Sequence, residues 1–171
     1  MIERYRRLAE RMRSALTDLE REVQRVQRSW DAGLRADAPD QDAYVDSVAL
    51  RLHAFYSGLE RLFELIASQV DGTMPSGADW HREILDRMAK PILEVRPEVV
   101  GSQTTALLDE LRKFRHLVRN VYTFSLSPDR MQKLVSGLPS LWASLKADLT
   151  DFAGFLEQLS RADEMRGGSG D

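Results

Sequence analysis

The chain has 171 residues, 43% hydrophobic and 30% charged, a balance that suits one globular domain rather than a disordered segment. A net charge of −3 excludes nucleic-acid binding driven by bulk charge, so any such function must rest on a local patch. The absence of cysteine excludes disulfides, zinc–thiolate centres and thiol catalysis, and fits a reducing, cytoplasmic setting.

The first predicted helix runs from about Ile2 to Trp30. Ile2, Tyr5, Leu8, Met12, Leu16, Leu19, Val23, Val26 and Trp30 recur at steps of three or four, which is one apolar stripe. Arg, Glu, Asp and Gln fill the rest as a solvated face. Charge throughout the first twenty residues argues against a signal peptide. No stretch of about 18 uncharged apolar residues occurs, so no membrane span is expected. Residues 31–39 form a loop by their Gly, Pro and Asp content.

The second helix is expected over Asp40 to Val70, on the stripe Tyr44, Val48, Leu52, Phe55, Leu59, Leu62, Phe63, Ile66 and Val70. Extra apolar positions make it the most buried. The loop 72–77 (GTMPSG) leads to Asp79, a candidate cap for a third helix from Trp80 to about Met88. Pro91, Pro97 and Gly101 break the chain again. The fourth helix should span Ser102 to Val121, with Leu107, Leu108, Leu111, Phe114, Leu117, Val118 and Val121 inward. Ser127 and Pro128 start a short helix through Val135. Gly137 and Pro139 should interrupt it before a fifth helix over Leu141 to Leu159. The expected fold is therefore all-α, an antiparallel bundle of four long helices plus one or two short ones over residues 1–160. Residues 161–171 are expected to be a disordered tail.

One segment carries chemistry. The stretch LRKFRHLVRNVYTFSLSP, residues 111–128, holds Arg112, Lys113, Arg115, His116 and Arg119 and no acid. At about 100° per residue, Arg119, Arg112, His116 and Asn120 fall within roughly 140° of Arg115, and Tyr122 lies beside it. The set suits a phosphodiester. Arginine forks match phosphate oxygens and offset developing charge, and a histidine near neutral pH can move a proton during attack by a ribose 2′-hydroxyl. RNA supplies its own nucleophile, so neither metal nor cofactor is needed. The plain structural reading is that cations at a helix C-terminus meet its dipole favourably, worth about 0.3–1 kcal/mol each.

Residues Arg115-His116-Leu117-Val118-Arg119-Asn120-Val121-Tyr122 resemble the motif of the HEPN superfamily of helical ribonucleases, and most closely the HepT-like toxins of HepT/MNT toxin–antitoxin pairs. That motif is an Arg, a polar residue, three residues, a His, one residue and a Tyr. The resemblance extends more loosely over about Leu62 to Leu159, through Trp80-His81 and Arg96-Pro97. It implies metal-independent RNA cleavage, a homodimer whose two motifs line one cleft, and an MNT-type nucleotidyltransferase antitoxin that adenylylates the Tyr, here Tyr122. The motif His falls on Asn120, which cannot shuttle a proton. His116, on the same face, is expected to take over, with Arg115 on the scissile phosphate, Arg112 and Arg119 binding RNA phosphates, and Asn120 holding phosphate or ribose. The rival expectations are a catalytically degenerate HEPN-like binding or regulatory module and a coiled-coil scaffold.

His53 and His81 are expected to be structural or surface residues, and Trp30, Trp80 and Trp142 core or interface anchors. Three dispersed histidines without cysteine give no metal site, and no glycine pattern supports nucleotide binding.

Overall fold

A computed structural model describes residues 2–120, Leu126 and 128–167. Among them are five α-helices: α1 (Ile2–Arg35), α2 (Ala38–Ile66), α3 (Trp80–Met88), α4 (Ser102–Asn120) and α5 (Pro128–Gly167). No strand forms among these residues; Ile92 and Arg96 make one isolated bridge. The all-α bundle with four long helices is present as expected.

The long helices lie antiparallel, and cross-helix pairs give the register. Between α1 and α5, Arg13 meets Glu157, Glu20 meets Lys146, and Gln27 meets the Val135 carbonyl. Between α1 and α2, Glu22 meets Arg51 and Ser29 meets Ser47. The apolar stripes close on one core, where Leu8, Met12, Phe55, Leu59, Phe63, Leu145 and Leu149 are fully buried. A buried Leu or Phe contributes about 1.5–3 kcal/mol. Trp142 is buried edge-on to Phe55, centroids 6.1 Å apart, while Trp30 and Trp80 are half-buried against the core.

Several boundaries differ from the sequence expectation. Helix α1 continues to Arg35, because residues 31–35 hold only one glycine and no proline. Helix α2 begins at Ala38, with Pro39 in its first turn, and passes at Ile66 into a π-helical turn, Ala67–Asp71. Gly72 closes that turn at φ 73°, a left-handed conformation that glycine adopts without a Cβ clash. Helix α3 spans Trp80–Met88 as expected, with Asp79 at the N-cap but without a side-chain cap bond.

The largest correction concerns α5. Gly137 and Pro139 do not interrupt it, and the short helix and the fifth helix are one. Proline's missing N–H frees the carbonyl four residues back, that of Val135. Gln27 Nε2 donates to this oxygen at 3.2 Å, so the break in the ladder is filled from α1. The same helix extends to Gly167, into the segment expected as a tail. Arg161 to Met165 contains no breaker, and no described residue lies beyond the first glycine.

Helix α4 is placed from both ends. At its start Asp148 of α5 accepts the Gly101 N–H at 2.9 Å and the Thr104 hydroxyl at 2.8 Å, an acid at a helix N-terminus. At its far end it packs on α2, with α3 closing the side. Leu107, expected inward, is 44% exposed and lines a cleft of about 260 Å³ against Leu134 and Leu141 of α5.

Candidate active site

Helix α4 presents one edge to α2, and that edge decides where its cations go. Arg112 and Lys113 turn back along their own helix. Arg112 Nε donates to Asp109 at 2.8 Å, and Lys113 Nζ reaches Asp109 and Glu110 at 2.9 Å. The stretch 111–128 is free of acids, but the turn before it supplies two. Burial pushes the Asp109 carboxyl up, yet the hydrogen bonds from Lys113 and Arg112 more than offset it and hold the group below the usual range.

Arg115 does not stand outward with its neighbours. Its Nε donates to Ser57 Oγ at 3.0 Å, and its Nη2 lies 3.3 Å from Glu60 Oε1, both on α2. Its side chain is 13% exposed, and Glu60 is buried. The other Glu60 oxygen lies 2.7 Å from His81 Nδ1 on α3, and the Trp80 ring stacks on that imidazole at 3.8 Å. One buried carboxylate thus ties α2, α3 and α4 together. Beneath it, burial and the nearby Glu60 charge push the Tyr56 phenol far above its ordinary value, so it stays neutral.

Arg119, one turn beyond Arg115, is exposed and makes no ion pair among the described residues; His116 is exposed too. Asn120 is the last residue of α4, and neither its side chain nor any part of Tyr122 falls within the described residues.

Three α2 residues line this edge: Ser57 and Glu60, which the sequence reasoning did not single out, and His53, which it set aside as a structural or surface residue. They stand at i, i+4 and i+7, one strip on a helix face. The available signal was a polar strip on a helix whose other faces carry many apolar residues. His53 is half-buried. Desolvation first, then the charges of Arg115 and Arg119, outweigh Glu60 and hold its imidazole below the ordinary histidine range. No cluster of three metal-ligating side chains occurs among the described residues. Among the described residues, no helix is long and apolar enough to cross a membrane.

An all-α bundle whose fourth helix ends in this Arg-bearing motif defines a protein of the HEPN superfamily. The model of the family described as HepT-like protein matches residues 47–156, and the chain belongs to that family. The match takes in most of α2, all of α3 and α4 and most of α5, and so His53, Ser57, Glu60, Arg115 and Arg119. No curated protein and no solved structure matches the chain.

Proposed function

We propose that the protein is a toxin-type, metal-independent endoribonuclease acting at the seam between α2 and α4, under the control of an MNT-type nucleotidyltransferase antitoxin. The observation that carries this reading is the pair Arg115 and Arg119. They stand one turn apart at the end of α4, in the order of the family motif, beside half-buried polar groups of α2. Arg115 is aimed by Ser57 and Glu60, and Arg119 extends into solvent. Together they form a two-point clamp for phosphate oxygens, with Arg112 behind it. Asn120 at the helix end holds phosphate or ribose. A histidine moves the proton, and His116 is the one α4 itself carries. The substrate is single-stranded or looped RNA, whose backbone can align for in-line attack. In this reading two copies join their seams into one cleft, and adenylylation of Tyr122 silences it in the cytoplasm.

The test is cleavage of RNA by the purified protein in EDTA, beside Arg115→Ala and Arg119→Ala. Loss of cleavage in both variants supports the assignment, and rates equal to the parent refute it. Co-expression with a nucleotidyltransferase should add the mass of one adenylyl group to the parent but not to Tyr122→Phe.

A second reading, a catalytically degenerate binding module, is favoured by Asn120 at the motif His and by the internal pairing of Arg115. Asn120→His separates the two: a silent parent that gains cleavage points to degeneration.

A further inference from the structure

The seam holds a histidine on the opposite helix from the motif. Helix α4 runs antiparallel to α5 and therefore to α2, and Ser57 of α2 meets Arg115 of α4; helix spacing then puts His53, one turn earlier on α2, on the side of Arg119, one turn later on α4. Both arginines lie close enough to act on the imidazole electrostatically. We propose that His53 is the catalytic base of this site, supplying from α2 the proton transfer that Asn120 cannot perform.

The inference rests on the ribonuclease reading and assigns its missing part. A phosphodiester clamped by Arg115 and Arg119 lies against the α2 edge, where His53 is the titratable side chain of α2 that feels both cations. His116, one residue on from Arg115, is turned roughly 100° away from it around α4. Burial first, and the charges of Arg115 and Arg119 after it, lower the His53 pKa and so favour the neutral imidazole, which is the form a base requires. The neutral imidazole takes the proton of the ribose 2′-hydroxyl as that oxygen attacks phosphorus. The bond from phosphorus to the 5′-oxygen breaks, and the leaving oxygen takes a proton from water. The products are a 2′,3′-cyclic phosphate and a 5′-hydroxyl end, and the imidazolium returns its proton to solvent.

Charges on every element near His53 enter its titration: Arg115 and Arg119 of α4 lower it, and Glu60 of α2, shared with His81 of α3, raises it. The experiment is a pH–rate profile of RNA cleavage in EDTA for the parent, His53→Gln and His116→Gln. Circular dichroism establishes that each variant is folded. The expected result is a loss of about 100-fold or more in His53→Gln, with the acid limb of the profile gone. His116→Gln should keep that limb. Parental rates and an intact acid limb in His53→Gln overturn the inference while leaving the nuclease reading standing. A parent that cleaves no RNA overturns both. A second readout does not need turnover: a 2′-deoxy strand, which cannot be cut, should shift the His53 imidazole resonances. Binding that leaves them unmoved also overturns the assignment.

Discussion

Two arginines, one sealed and one nearly so, show how a cation completed by the fold differs from one that is not. Arg96 is sealed from solvent, and all five of its N–H donors are spent. Its Nε and Nη2 hold Asp71 at 2.6 and 3.0 Å, and its remaining donors go to the carbonyls of Arg87, Lys90 and Pro97. It stitches the loop after α3 to the π-turn after α2, and no donor is left for anything else. Arg115 also meets a buried carboxylate, but at 3.3 Å, with its Nε on a hydroxyl. No described residue takes its Nη1, and Arg119, one turn on, is exposed. A guanidinium completed by the fold is a rivet, whereas one aimed by the fold and left incomplete at its edge can take a ligand.

The comparison breaks first at Asp71. Asp71→Ala leaves Arg96 charged, buried and unpaired, and should cost about 3–5 kcal/mol, read as a lower denaturation midpoint. RNA cleavage measured well below that midpoint should persist, because the seam lies elsewhere. Glu60→Gln should cost less, about 1–3 kcal/mol, since Arg115 and His81 keep a hydrogen-bonding partner. It should also move the acid limb of the pH–rate profile to lower pH, because the Glu60 charge raises His53.

Arg119→Ala should change stability by no more than about 0.5 kcal/mol, as an exposed substitution does. Removing its charge should raise the His53 midpoint, seen by NMR titration, opposite to the shift expected in Glu60→Gln. His53 also links stability to pH. Its folded pKa lies below the ordinary 6.5, so the unfolded chain binds the proton more readily. Stability is therefore full above that value and falls as pH drops through it toward the folded midpoint. His53→Gln should flatten this slope. The smallest effect is expected at Lys113→Ala, whose exposed pairs along α4 are screened by water; its denaturation midpoint should match the parent's.

The helices were legible because each long one carries an apolar stripe that needs no partner to be seen. Pro139 misled because the group that fills the gap it leaves in the helix ladder, Gln27, sits on α1, and local sequence cannot show that α1 and α5 meet there. The same reason divides the site. Arg115 and Arg119 share one helix, so their spacing declared them. Glu60, Ser57 and His53 become partners of those arginines only when α2 packs against α4. Counting charge along α4 therefore overstated its free cations, since Asp109, Glu110 and Glu60 neutralise most of them.

The central claim is that this seam cuts RNA with the substrate's own hydroxyl and no metal. Analysis of the product ends in EDTA tests it most directly. An all-ribose strand should yield 2′,3′-cyclic phosphate and 5′-hydroxyl ends, and a single 2′-deoxy residue placed at the cleaved position should prevent the cut. Cleavage that survives that substitution, or that appears only when a divalent cation is restored, would contradict it.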